Sequence, residues 1–416
     1  MYFIYNILVP LIALLFSPII ALALIIQPKF RAGFWKKIGF YFYPKDERET
    51  IIFHAVSVGE INAIEALIKK YRKNNQEKRI VLTTTTKTGH EVAVKKLADT
   101  VDIITYFPYD FVFSVNAFLN NFKPSKIIIA ETEIWPCFLS SANKKKIKVY
   151  TVNGRISPRS YNGYKKFGVF FVPILDNYEK LLMQSKNDAK RIIDIGAYEP
   201  KVKVMGNLKY DITPNMTIQE VKSLWLDMGV EKSKVFVAAS THQGEDEIVL
   251  EAFAKAKVKI PELKFLIAPR HPQRFEKVES LLRASGFKYG KRSENANFIE
   301  KDIIMLDTMG ELSKMFAICY VAFIGGSFSN TGGHNPLEAN IWGKPVLSGP
   351  NIFNFKEVYN LVLDKKAGKI VKNSNDLLNE LLLYIESAAT YKVACTGAAS
   401  IFAENKGAID FVLNEI

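Results

Sequence analysis

Residues 325–350 read Gly325-Gly326-Ser327-Phe328-Ser329-Asn330-Thr331-Gly332-Gly333-His334-Asn335-Pro336-Leu337-Glu338-Ala339-Asn340-Ile341-Trp342-Gly343-Lys344-Pro345-Val346-Leu347-Ser348-Gly349-Pro350. The apolar run before them, Cys319 to Ile324, reads as a buried strand that ends in a glycine turn. A second glycine pair leads into a helix with Pro336 at its first position, where the missing N–H of proline would lack a partner anyway. Strand, glycine loop and helix start form one step of an α/β fold. Their free N–H groups and the helix dipole favour an anion such as a phosphate. The glycine turn, Gly326 included, lets the backbone approach that anion, and Glu338 can accept hydrogen bonds from ribose hydroxyls. Glycines also serve plain βα turns, so this stretch needs support from the rest of the chain.

That support comes from repetition. Ile51–Val56, Arg79–Thr84, Asp102–Tyr106, Lys126–Ala130, Lys148–Val152 and Lys180–Gln184 are short β-branched runs. Amphipathic stretches such as Glu60–Tyr71, Thr88–Leu97 and Val112–Asn121 lie between them. This is the rhythm of a parallel sheet with crossover helices. After a hinge-like stretch, Gly206 to Asn215, the rhythm restarts with Val235–Ala239, Lys264–Ala268, Ile303–Leu306, Cys319–Ile324, Pro345–Leu347 and Lys369–Val371. The sequence predicts two facing, doubly wound Rossmann-like domains, over residues 29–205 and 206–416, whose ligands bind at the carboxyl ends of the strands.

The 416 residues suffice for two such domains, and 48% hydrophobic with 24% charged content marks a globular protein. The three cysteines are far apart and the five histidines show no metal-binding spacing. Neither a disulfide framework nor a protein-built metal site is expected, and no cofactor is implied. Charge is lopsided. Residues 1–205 hold 31 Lys+Arg against 17 Asp+Glu, whereas residues 206–416 hold 25 of each, so the whole net charge of +14 lies in the first half. Clusters at Lys29–Lys37, Lys144–Lys148 and Arg155–Lys166 carry much of it and suggest an acidic partner. Residues 1–28 have no charged side chain ahead of Lys29, and Tyr2 to Ile26 is almost wholly apolar. About 20 such residues span a bilayer core. Basic residues follow the run and none precede it, so the expectation is an uncleaved N-terminal anchor over residues 1–28 with the rest of the chain in the cytoplasm. Pro10 and Pro18 allow a kinked or shallow segment.

Chemistry-bearing residues recur at strand ends. Ser57-Val58-Gly59-Glu60 follows the first strand, with Gly59 permitting a tight turn. Glu60 suits a general base for an acceptor hydroxyl, and it suits a first-turn carboxylate that stabilises a helix dipole. Glu131-Thr132-Glu133-Ile134-Trp135-Pro136 places two carboxylates beside a Trp-Pro turn, and Glu133 can orient substrate or open a helix. Arg155 and Arg159, with Ser157 and Ser160, follow another strand; guanidinium forks match phosphate or carboxylate. In the second half, Ser240 and Thr241 offer hydroxyls ahead of a helix start, Arg270 and His271 offer donors, and Met309-Gly310-Glu311 precedes a short helix. Each has an ordinary reading as a cap or turn.

Together, His54–Glu60, Glu131–Pro136, Asn153–Ser160, Gly206–Asp211, Ser240–Glu245, Ala268–His271, Met309–Leu312 and Gly325–Pro350 resemble the 3-deoxy-D-manno-octulosonic acid (Kdo) transferases, in order and over nearly the whole chain. The resemblance implies a GT-B fold and transfer of Kdo from CMP-Kdo to the lipid A precursor (lipid IVA) at the inner membrane, in lipopolysaccharide biosynthesis. It implies that Glu60 is the catalytic base and that Glu133 supports the acceptor side. It implies that Arg270-His271, Met309–Glu311 and Asn335–Glu338 hold CMP. With no metal motif, the leaving phosphate must be met by helix starts and basic side chains. An anionic membrane surface and the phosphorylated lipid then account for the basic first half. Two rivals are another nucleotide sugar as donor, and a tethered nucleic-acid binder. The second leaves the carboxylate and glycine motifs unexplained, so nucleic acid is not an expected partner.

Overall fold

The computed structural model describes residues 2–214, 216–230 and 233–416, without the side chains of residues 2–4, 28 and 29. Met1 of the expected anchor, Asn215 of the hinge-like stretch and the Lys29 side chain therefore lie outside the described residues.

Seven strands form the first sheet: β1 Thr50–Ala55, β2 Arg79–Thr84, β3 Ile103–Tyr106, β4 Lys126–Ala130, β5 Lys148–Gly154, β6 Lys180–Met183 and β7 Val202–Val204. Their order is β3-β2-β1-β4-β5-β6-β7, and every pair is parallel. Helices cover both faces, so β1 is buried along its whole length. Ile52 joins one core with Val81, Ile127 and Phe138, while Ile51 and Phe53 join another with Ile64, Leu67 and Ile80. Burial on both faces explains why these strands are continuous apolar runs. The order reverses between β1 and β4.

The second sheet repeats this plan with β8 Val235–Thr241, β9 Lys264–Pro269, β10 Tyr289–Lys291, β11 Ile303–Met305, β12 Val321–Ile324, β13 Val346–Ser348 and β14 Gly368–Ile370. The order is β10-β11-β9-β8-β12-β13-β14, again all parallel. Here the reversal falls between β8 and β12. Two doubly wound parallel sheets in succession are the GT-B type of architecture. Edge strands β7 and β10, three residues each, were not foreseen because neither is an apolar run.

Contacts divide the chain into Met1–Asp211 with Asn405–Ile416, and Ile212–Glu404. The expected second unit, 206–416, is thus shorter at both ends. Helix Ala408–Glu415 buries Ala408, Ile409 and Val412 in the core of the first unit, beside Leu208 and Ile64. Asp211 accepts hydrogen bonds from Gly407 N–H at 2.6 Å and from Ile409 N–H, so the hinge-like stretch ends as a cap for this returning helix.

At the N-terminus the segment read as an anchor forms two helices, Tyr2–Leu15 and Ser17–Ile26, broken in the way its prolines allow. Among the described residues no single helix is long and apolar enough to cross a membrane; Tyr5–Leu15 and Ser17–Ile26 meet that test only together, bent by 58°. Pro18, in the first turn of the second helix, fits its N-terminal end. Arg31 donates through Nε to Leu24 O at 2.6 Å and through Nη2 to Ile25 O, satisfying carbonyls at the helix end.

Candidate functional site

Each reversal of strand order brings some of the residues singled out above together. In such sheets the crossovers on either side of a reversal run to opposite faces and leave a crevice at the strand ends. At the first, Ser57 caps helix Val58–Asn74, accepting from Glu60 N–H at 3.4 Å. Its hydroxyl donates to Glu60 Oε1 at 2.8 Å, and Val56 N–H donates to Oε2 at 2.7 Å. The carboxylate is therefore held in one orientation, 7% exposed. Burial raises its pKa above the ordinary value, the two hydrogen bonds oppose that, and Glu131 adds like-charge repulsion. Glu133 is pushed up to about 7 by burial, then by Glu60 and Glu131, with the Trp135 indole pulling the other way. Three carboxylates thus feel one another at the ends of β1 and β4.

Backbone strain marks the same place. Glu131 and Asn153, at the ends of β4 and β5, have φ of 57° and 56°, a region that costs a non-glycine residue energy and clusters at functional sites. Tyr178 Oη donates to Glu133 O at 2.7 Å and Arg155 N–H to Thr132 Oγ1 at 3.0 Å, fixing the loop that carries Glu133. Gly59 and Arg155 are exposed, and Arg159 is exposed in the first turn of Pro158–Lys166.

The second reversal departs from expectation. Glu245, 0% exposed, accepts from His242 N–H (2.8 Å) and Gly326 N–H (2.7 Å) through Oε2, and from Ser327 and Phe328 N–H (both 2.8 Å) through Oε1. The glycine turn is an anion cradle, and the protein's own carboxylate fills it. Gly326 N–H is not free for a phosphate. Gly325 is required by close approach, since a Cβ there would lie 2.4 Å from Ser240 O and 2.9 Å from Glu245 Oε2. The helix start after Thr241 is also taken: Glu245, Asp246 and Glu247 form its first turn, and the buried Thr241 hydroxyl donates to Asp246 at 2.6 Å. Thr241 offers no hydroxyl to a ligand. Ser240 bends the chain there at φ 55°. The helix expected from Pro336 has only four residues, Leu337–Asn340, with Pro336 at its cap and Asn335 Oδ1 accepting from Leu337 N–H at 3.2 Å.

What collects at this end of the sheet is imidazole and guanidinium. His242 Nε2 and His334 Nε2 lie 2.9 Å apart, one donating and one accepting, with rings 5.2 Å apart and near parallel. His271 meets His242 edge-on at 5.4 Å. Burial first, then His242, Arg270 and His271, push the His334 pKa down to about 4. Arg274 is neutralised by Asp246, while Arg270 and His271 stand exposed. An anion placed here favours the charged form of these rings and meets the Arg270 guanidinium. Met309 is exposed, Gly310 has φ 91°, and Glu311 accepts from the Thr308 hydroxyl and lies 3.7 Å from Arg292. Glu338 is exposed in the first turn of its short helix. The His242–His334 pair and the Glu245 cage were missed in the sequence, although four of the five histidines fall in the quoted motifs.

The family described as 3-deoxy-D-manno-octulosonic-acid transferase (kdotransferase) matches residues 32–212. A 3-deoxy-D-manno-octulosonic acid transferase of Haemophilus influenzae is 31% identical over 395 residues, 93% of this chain and 91% of that protein. The chain belongs to the Kdo transferase family. As a member of the Kdo transferases it is a glycosyltransferase. A bifunctional glycosyltransferase/methyltransferase of Fusobacterium nucleatum is 34% identical over 407 residues, and the chain spans 97% of itself but 61% of that protein. Among solved structures, a UDP-GlcNAc 2-epimerase from Neisseria meningitidis covers 88% of this chain and 99% of its own at 13% identity with a TM-score of 0.59, a likeness of fold alone.

Proposed function

We propose that this Kdo transferase moves Kdo from CMP-Kdo to a hydroxyl of the lipid A precursor, lipid IVA, with Glu60 as general base. The observation that carries the reading is the Glu60 carboxylate, buried and fixed by two hydrogen bonds at the reversal between β1 and β4. Glu60 takes the acceptor O–H proton as that oxygen bonds to the anomeric carbon. The bond from that carbon to the phosphate oxygen breaks, and CMP departs with the electron pair. Glu133, with Arg155 and Arg159, serves the acceptor side. Arg270 and His271, the Met309–Glu311 loop and Asn335–Glu338 hold CMP. Ser57 and Gly59 shape the base, Ser240 the donor loop. Incubating the purified chain with CMP-Kdo and lipid IVA tests this by product mass. An increase of one or more Kdo residues is expected; transfer from a UDP-sugar and none from CMP-Kdo overturns it.

Arg270→Ala and Glu338→Ala are expected to weaken inhibition by CMP while acceptor KM stays nearly constant. Loss of one charged hydrogen-bonding partner costs about 1.5–3 kcal/mol, roughly 10- to 150-fold in affinity. Unchanged inhibition constants for both variants place the nucleotide elsewhere.

The proposal extends to the cytoplasmic face of the inner membrane. Leu8, Leu11, Ile12, Leu14, Leu15, Ile19, Ile25 and Ile26 are exposed on the two N-terminal helices, a patch that a soluble surface rarely carries. Removing residues 1–28 is expected to release part of the protein from membranes and to leave weaker binding to anionic vesicles that salt abolishes, since exposed charges are screened within about 10 Å at 0.1 M. Activity in detergent should survive. A full-length protein that stays in solution without detergent contradicts the anchor, and truncated protein with no vesicle affinity at low salt contradicts the basic face.

A further inference from the structure

The Lys144–Lys148 cluster has no part in the transfer chemistry above, yet two of its members line a cavity. Helices Tyr2–Leu15, Val112–Phe122 and Pro136–Lys144 enclose a space of about 340 Å³ walled in part by Asn6, Asn116, Ser140, Ser141, Lys144 and Lys145. Two lysines, two serines and two asparagines line it together with Val112 and Cys137, and no acidic residue does. No ion pair joins Lys144 or Lys145 to an acid among the described residues, whereas Lys148 lies 3.7 Å from Glu179. Lys145 spends one donor on Asn120 Oδ1 at 2.8 Å and keeps two. Such a set suits a phosphate, with the ammoniums on its charge and hydroxyls and amides on its remaining oxygens and on neighbouring alcohols.

The location decides what carries that phosphate. Asn6 is the only amide in residues 1–26, and it sits in this wall while Leu8, Leu11 and Ile12 on the same helix are exposed and apolar. An amide inside a lipid-facing helix is costly unless it finds a polar partner. Tyr5 Oη donates to Asp110 Oδ2 at 2.8 Å, and Asp110 accepts from Cys137 and Phe138 N–H at 3.0 and 2.7 Å, which pins the apolar helix against Pro136–Lys144. The cavity therefore opens where an apolar helix leaves the globular unit.

We propose that this cavity binds the phosphate head group of an anionic glycerophospholipid, whose acyl chains run along the exposed side of Tyr2–Leu15. The site is separate from the donor and acceptor positions above, and its test reads bound lipid rather than transfer, so it stands or falls independently of them. The full chain in detergent is titrated with phosphatidylglycerol and, separately, phosphatidylcholine, and bound lipid is counted by native mass spectrometry. Phosphatidylglycerol is expected to bind and phosphatidylcholine to bind far less. The Lys144→Gln/Lys145→Gln pair is expected to weaken phosphatidylglycerol binding roughly tenfold or more, each basic residue near a lipid surface being worth about 1 kcal/mol. Lys146→Gln/Lys148→Gln, from the same cluster but outside the wall, should leave it unchanged. Melting temperatures near the parent's show that both variants fold. Equal losses in both pairs mean a diffuse field and overturn the site, as does no loss in the first. Saturation by inorganic phosphate at the concentration that suffices for phosphatidylglycerol overturns the lipid assignment in favour of a free-ion site.

Discussion

Glu60→Gln gives a folded protein whose transfer rate is lower by on the order of 10²–10⁴-fold, the usual loss on removing a general base. The fold survives because Ser57 still caps the helix, and the lost acceptor is a cap-scale effect of about 1 kcal/mol. The pH profile gives a second check. A base acts as the carboxylate, so activity falls as pH drops through its pKa. Burial lifts Glu60 above the ordinary 4.5, and the acid limb of kcat/KM therefore lies above that value. Glu131 raises Glu60 by like charge, so Glu131→Gln should move the limb to lower pH. Glu133, pushed to about 7 in the fold, stabilises it below 4.5 and loses that contribution as pH rises through 7. A Glu60→Gln enzyme with near-normal turnover would falsify the base assignment.

Glu245→Ala has the largest expected effect on stability. Four backbone N–H groups converge on that one buried carboxylate and tie the end of β8 to the loop after β12. Removing it leaves buried donors without partners at about 1–3 kcal/mol each, less whatever water restores, for a net loss of about 3–5 kcal/mol. Chemical denaturation reads this as a lower midpoint. CMP inhibition should weaken too, because His242 and the glycine turn lose their shared support. Glu247→Ala in the same turn, exposed and outside the cage, should cost little. A Glu245→Ala midpoint equal to the parent's would mean that the cage is not a stabilising element.

Much of the fold was legible because buried parallel strands are short, dense apolar runs. β2 and β4 begin and end where the sequence placed them, at Arg79–Thr84 and Lys126–Ala130. β7 and β10 were not, since a three-residue edge strand needs no apolar run and carries none. The glycine turn was recognised as an anion cradle, yet its occupant is a glutamate some eighty residues earlier, and local pattern cannot reveal which distant carboxylate fills a cradle. The same limit hid the His242–His334 contact. The contacts of Glu60 are local by contrast, since its own neighbours Val56 and Ser57 hold it. The return of Ala408–Glu415 to the first unit was hidden for the converse reason: its apolar stripe is visible, but not the core it joins.

That return has a consequence for biosynthesis. Ala408, Ile409 and Val412 complete a core laid down by residues before Asp211, and the whole of Ile212–Glu404 is translated in between. At about 5–20 residues per second this takes on the order of ten to forty seconds. For that interval the nascent first unit carries an uncovered apolar groove beside Ile64 and Leu208, a place for a chaperone or the ribosome surface to hold. The first half of the protein to emerge is thus among the last to close.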